Sequence, residues 1–275
     1  MAGAGVDSPG DLALSAEGLV HRFGGHARQL GPADVALHSG RIVALIGPNG
    51  SGKSTLMRLL AGLLPLDAGV VRLGSSAISG SGERTRAARL ALCPQRTSLA
   101  FAFTVREYVG FGAYAAGRRV GNNAVQEAIN RLDLTELSDV PMPRLSVGQQ
   151  QRAALARSIA QLGSGSLHGK VLLADEPASA LDTRHAAALL GILKDMAGKG
   201  LAIMVAAHDL AWAAAVADEG LAINPNGTVK PMSAADLQDP AELEGVFDAS
   251  FEQFRADSGR VVALPGLTVG PRTGG

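Results

Sequence analysis

Hydrophobic positions along the chain change rhythm several times. Between 13 and 37, short apolar runs are separated by turn formers such as Gly24, Gly25 and the pair Gly31-Pro32. Runs of that length, broken by Gly and Pro, predict antiparallel strands. The segment 41–46 (RIVALI) reads as a compact β-branched strand, and 47–54 as a glycine-rich loop. From 55 to 64 the pattern is helical and is expected to stop before Pro65. Residues 67–73 (DAGVVRL) return to a strand. A stretch from about 101 to 159 is mostly helical in period, with breaks at Gly121, Pro141 and Pro143. Beyond it, 171–174 and 201–206 predict strands, while 183–197 and 210–217 predict helices. Strand and helix in alternation imply an α/β fold, a mainly parallel sheet flanked by helices. An antiparallel β part precedes that sheet, and the helical stretch is inserted in it.

The first 11 residues are rich in Gly, Ala and Pro and are expected to be loose. The run 163–169 (GSGSLHG) reads as a loop, and no internal repeat is visible. From about 239 the composition shifts, with acidic and aromatic residues before a Gly/Pro-rich end. Its plainest reading is a hairpin packed on the core.

Composition narrows the picture. At 275 residues with 47% apolar content, the chain can bury a full core. Only 18% of residues are charged, which excludes a highly charged disordered chain. Lys plus Arg and Asp plus Glu balance at 25 each, so there is no basic surplus for non-specific nucleic-acid binding. The single cysteine, Cys93, cannot form an internal disulfide; it fits a reducing compartment and reads as a small buried hydrophobe. The best candidate for a membrane span, 201–217, carries His208 and Asp209 in its middle and is too short. The N-terminus lacks the basic and apolar regions of a secretory signal. The expectation is a soluble, cytosolic chain that serves any membrane process through a partner.

The candidate chemistry begins at Gly47-Pro48-Asn49-Gly50-Ser51-Gly52-Lys53-Ser54, which matches G-x-x-x-x-G-K-[ST] between a predicted strand and a predicted helix. Glycines there let the backbone curl so that successive N–H groups point at anionic oxygens. The helix N-terminus adds positive partial charge. Lys53 can reach the β- and γ-phosphates of ATP, Ser54 offers a hydroxyl to Mg²⁺, and Thr55 can bind a phosphate oxygen. A second element is the apolar run 171–174 ending in Asp175-Glu176. An Asp at a strand end can hold Mg²⁺, usually through a water. Glu176, pointing the other way on an extended backbone, can polarise a water for attack on the γ-phosphate.

Leu145-Ser146-Val147-Gly148-Gln149-Gln150-Gln151-Arg152 resembles the LSGGQ signature of ABC ATPases, with Val147 where glycine is usual. The same residues also read as a Ser N-cap opening an amphipathic helix. The resemblance extends over roughly 12–230. By it, Gln95 is the Q-loop glutamine, which senses Mg²⁺ and the attacking water. The run 179–182 (SALD) resembles the D-loop, with Asp182 at the interface to a second copy. His208 resembles the switch histidine on the γ-phosphate. Phe23 is placed like the aromatic that stacks on adenine, where the family more often has Tyr, and His21 and His26 are rivals for that place. The resemblance further implies that Ser146, Gly148 and Gln149 act in trans on ATP bound by the partner copy.

These expectations divide the chain into an ATPase domain at 12–235, with a helical subdomain at about 96–160, and a C-terminal extension at 236–275. The run 88–112 (ARLALCPQRTSLAFAFTVREYVGFG) is similar to the ATPases of iron-chelate, heme and cobalamin importers, with Ala102 where Pro is common. That resemblance implies a homodimer working with integral membrane permease subunits and, indirectly, a substrate-binding protein, at the cytoplasmic face of the bacterial inner membrane. A zinc- or manganese-type importer and a soluble non-transport ABC ATPase are the rival readings. Against the latter, the chain shows no long coiled-coil insertion, no second P-loop and no basic excess. A pseudo-ATPase is disfavoured by the presence of both Lys53 and Glu176. No His/Cys cluster is present to hold a metal cargo.

Overall fold

The computed structural model describes residues 12–24, 28–95, 101–117, 123–255 and 261–266. The chain opens with β1 (Leu12–Arg22), β2 (Gln29–His38) and β3 (Ile42–Ile46), then α1 (Lys53–Leu60), β4 (Ala68–Leu73), β5 (Ser76–Ala77), α2 (Glu83–Arg89) and β6 (Leu90–Cys93). The helices α3 (Val105–Ala115), α4 (Asn123–Arg131) and α5 (Val147–Leu162) follow. Then come β7 (Val171–Asp175), α6 (Thr183–Gly198), β8 (Ala202–Ala206), α7 (Leu210–Val216), β9 (Glu219–Ile223) and β10 (Val229–Ser233). The last elements are α8 (Pro240–Phe247), β11 (Phe251–Arg255) and β12 (Val261–Pro265).

The central sheet has the order β10-β9-β3-β8-β7-β6, and every pairing in it is parallel except β9 with β10. A separate antiparallel sheet has the order β2-β1-β4-β5. β3, β7 and β8 are buried at all five positions, as strands covered on both faces must be. The pleat sends alternate side chains into two different cores. Val43 and Leu45 join α1 and the antiparallel sheet on one side. Ile42, Ala44 and Ile46 join α5, α6 and α7 on the other. Cys93 lies in this second core, where burial pushes its thiol up to about 11.

Three boundaries differ from the sequence pattern, each for a local reason. α1 starts at Lys53, because Gly52 at φ 115 turns the loop directly into the helix. It ends at Leu60, well before Pro65. Gly62 N donates to Leu59 O (2.9 Å) and Leu63 N to Arg58 O (2.8 Å), the paired bonds of a Schellman ending. Gly31-Pro32 does not separate strands but lies inside β2, an edge strand, where a missing N–H is tolerated. The expected break at Gly121 lies outside the described residues.

Within the helical part, α3 lies almost on the backbone of α5. A Cβ placed on Gly112 would stand 2.0 Å from the Arg157 carbonyl oxygen. The tail forms the β11–β12 hairpin, and its Phe251 and Ala263 are buried in the main core. Among the described residues, no helix is long and apolar enough to cross a membrane.

Candidate functional site

The C-terminal ends of β3 and β7 lie one strand apart, separated by β8. In an open parallel sheet this edge is where ligands bind. The loop after β3 curls tightly. A Cβ on Gly47 would stand 2.4 Å from Ile223 O and 2.9 Å from Ser51 Oγ, so only glycine fits. Lys53 folds back over the loop and donates to Gly47 O (2.7 Å) and Pro48 O (3.2 Å). Its ammonium is held below its ordinary pKa by burial, opposed by the charges of Glu176 and Asp175.

The cradle is built to receive an anion. No side chain caps the N-terminus of α1, and no acidic residue lies in its first turn. The amides there are open to an external acceptor. Ser51 Oγ is buried without a hydrogen-bond partner among the described residues. Pro48, Gly52, Ser54 and Thr55 are half-buried, and Asn49 and Gly50 are exposed at the loop tip.

Asp175 and Glu176 follow on β7. Both are buried, and Asp175 Oδ1 has no partner among the described residues. Glu176 does not continue the extended backbone. It sits at φ 52, in the left-handed region, anchored by its N–H to Ala206 O (3.1 Å). Such a conformation costs free energy in a non-glycine residue and must be held by its surroundings. The turn aims the carboxylate across the sheet end. There Gln95 Nε2 donates to Glu176 Oε2 (2.6 Å), and His208 Nε2 contacts Glu176 Oε1. Five residues that the sequence pattern singles out, Lys53, Asp175, Glu176, Gln95 and His208, are thus linked by contact or by charge. Beside Glu176 and His208 opens a largely apolar cavity of about 800 Å³, walled by Leu181, Trp212 and Val262.

Phe23 stands near the same loop. Its Cζ lies 3.7 Å from where a Cβ on Gly52 would be. The His21 ring meets it edge-on at 5.4 Å, and the Arg28 guanidinium lies 5.6 Å from its centroid. His26 lies outside the described residues.

Ser146, Gly148 and Gln149 are engaged elsewhere. Ser146 Oγ accepts from Gln149 N (3.3 Å), and Gln149 Oε1 accepts from Ser146 N (2.9 Å), a capping box opening α5. A Cβ on Gly148 would stand 2.7 Å from Ala180 O, whereas Val147 is 72% exposed. The departure from the usual glycine at 147 therefore projects into solvent, and the position that must be glycine is one. Asp182 caps α6 by accepting from His185 N (2.9 Å), and this bond and the His185 ring hold its carboxyl below the ordinary range.

One residue to which the sequence pattern assigns no role of its own is Gln151. It is the buried one of three consecutive glutamines. Its Nε2 donates to Glu176 O and to Ser179 Oγ (3.2 Å), and its Oε1 accepts from Ala180 N (3.0 Å). Helical spacing separates it from Gln149 and Gln150 but does not say which face turns inward.

A parallel sheet that carries a phosphate cradle at one strand end and an acid pair two strands away is a P-loop NTPase, and the chain belongs to the ABC transporter family, whose model matches residues 30–179. It is an ATP-binding, ATP-hydrolysing member of that family. Among its curated relatives are hemin import ATP-binding proteins HmuV. The one from Rhodopseudomonas palustris (strain BisA53) is 35% identical over 92% of this chain and 94% of its own length. That of Pseudomonas entomophila (strain L48) is 38% identical over 85% and 92%. The fold matches the inward-facing conformation of a metal-chelate type ABC transporter, with TM-score 0.77, 24% identity, and coverage of 94% of this chain and 99% of that one.

Proposed function

We propose that this chain is the ATP-hydrolysing subunit of an importer for haem or a related iron chelate, working as one half of a two-copy ATP clasp. The observation that carries the hydrolytic reading is the meeting of Glu176 with Gln95 and His208 beside the Lys53 loop. The loop amides, Ser51 and Thr55 bind the phosphates, and Lys53 swings from the Gly47 and Pro48 carbonyls onto the β- and γ-oxygens. Phe23 stacks on the adenine. Glu176 orients a water in line with the γ-phosphorus and accepts its proton, while Lys53 neutralises charge on the leaving oxygen. Gln95 and His208 hold the carboxylate and the transferring phosphoryl group. Ser54, Gln95 and the unpartnered Asp175 Oδ1 form an all-oxygen donor set that suits a hard divalent cation. Mg²⁺, held by Ser54, Gln95 and Asp175, would supply further neutralisation of the phosphate charge.

Ser146, Gly148 and Gln149 are exposed or half-buried at a helix N-terminus, which supports their use on ATP held by a second copy, with Asp182 at that interface. The unit 12–235 carries the engine, 96–160 its helical subdomain and 236–275 an extension. The surface of α3 and the segment just before it supply an attachment for a membrane permease. Phe101 is 69% exposed and Tyr114 71%, and Phe103 stacks edge-on against Phe111 at 4.8 Å. Such a cluster of exposed rings marks a protein contact. The working place is then the cytoplasmic face of a bacterial inner membrane, with a binding protein upstream of the permease.

The haem assignment rests on the hemin import names of the relatives. Its test is reconstitution of the chain with its permease in proteoliposomes, with phosphate release measured as haem, ferric chelates, cobalamin, zinc and manganese are offered on the binding-protein side. Stimulation by haem or a chelate alone supports the assignment. Stimulation by zinc or manganese alone overturns the cargo and leaves the engine standing.

A further inference from the structure

Two neighbouring side chains of α5 reach the D-loop from opposite sides. Gln151 binds it at Ser179 Oγ (3.2 Å) and Ala180 N (3.0 Å). Arg152 reaches it through a relay. Its guanidinium donates to Leu132 O (2.9 Å) and Asp133 O (2.8 Å) and lies 3.6 Å from Asp133 Oδ2. Asp133 sits at φ 53, a left-handed conformation that Asp tolerates better than most residues. The same Asp133 Oδ2 faces His185 Nε2 at 3.8 Å, and His185 Nδ1 stands 2.8 Å from Asp182 Oδ2. The line Arg152–Asp133–His185–Asp182 therefore runs from the signature helix to the residue that ends the D-loop and caps α6. A small cavity of about 40 Å³ lies beside it, lined by Leu132, Leu155, Leu181 and Leu189.

We propose that His185 is a positioning residue that locks the D-loop to the signature helix through Asp133, so that the two elements a copy offers its partner are presented as one rigid face. The inference rests on the two-copy clasp proposed above. Asp133 is largely exposed, and ion pairs with an exposed partner contribute little to stability. The relay is therefore too weak to hold the fold, and what it can select is the angle between two elements.

The test uses full-length chains carrying two different tags, from which the heterodimer is purified. One subunit carries Lys53→Ala, so that its own site is disabled and it lends only its signature face to the one remaining site. Adding His185→Ala to that subunit is expected to lower hydrolysis about three- to fivefold relative to the heterodimer without it. Placing His185→Ala in the other subunit is expected to cost at most about twofold. Adding Asp133→Ala beside His185→Ala in the first subunit deepens the loss no further, since both cut one relay. Ser146→Ala, placed in the same two ways, is the reference for the clasp. If Ser146→Ala keeps its asymmetry while His185→Ala acts equally from both subunits or from neither, the inference falls alone. If Ser146→Ala itself shows no asymmetry, the clasp falls and carries the inference with it. Melting temperatures of the His185→Ala and Asp133→Ala chains within about 2 °C of the parent exclude misfolding, and a larger drop in both would overturn a positioning role in favour of a structural one.

Discussion

Where β3 runs into α1, the chain builds a buried cradle with atoms left over. Where it enters α5, it builds an exposed helix start whose polar groups satisfy one another. Ser51 Oγ and Asp175 Oδ1 have no partner among the described residues. Ser146 and Gln149, by contrast, close a capping box on themselves. The first region is incomplete without a ligand, because a buried polar atom left unpaired costs free energy that binding would recover. The second is complete until something arrives from outside. In the two-copy clasp proposed above, one chain would carry the receiving half of one site and the lending half of another.

The sharpest way to break that contrast is at Glu176, which belongs only to the receiving half. Glu176→Gln keeps the shape and removes the base, and phosphate release should fall about 10²- to 10⁴-fold while an ATP-bound pair of copies accumulates on size exclusion. Release within tenfold of the parent would remove Glu176 from its role. Lys53→Ala removes charge-assisted hydrogen bonds worth about 1.5–3 kcal/mol. Affinity of the single chain for a fluorescent ATP analogue should drop about 10- to 100-fold. On the lending side, Gly148→Ala forces a methyl against Ala180 O and should cost about 1–3 kcal/mol, read as a lowered melting temperature together with lost hydrolysis. Ser146→Ala loses its cap, about 1 kcal/mol, yet should leave ATP affinity of the isolated chain within about twofold. A large drop in that affinity would place Ser146 in the receiving half and dissolve the distinction. The smallest effect is expected at Val147→Gly, where an exposed side chain is deleted near a helix start. Stability should fall by about 0.5–1 kcal/mol with hydrolysis nearly intact.

The receiving half is legible in the sequence because it is local. Residues 47–54 lie consecutively between a strand and a helix, and Asp175-Glu176 end an apolar run. What the pattern hides are features set by contacts between distant segments. An extended backbone is the natural expectation for Glu176. Its φ of 52 follows instead from the anchor to Ala206, thirty residues away. The relay through Asp133 and His185 joins segments about fifty residues apart, neither of which carries a recognisable motif. Gln151 is hidden among identical neighbours. The start of α1 escapes the pattern because its apolar positions begin at Leu56, whereas the helix opens at Lys53, three residues before it.

The near-contact of Gly112 with the Arg157 carbonyl has a mechanical meaning. With no atom of clearance between them, α3 cannot slide along α5 without backbone collision, and the aromatic cluster and the capped start of α5 must travel as a single lever. A load applied at Phe111 would pass through that contact toward Ser146. The absence of one methyl group on Gly112 is what keeps that coupling stiff.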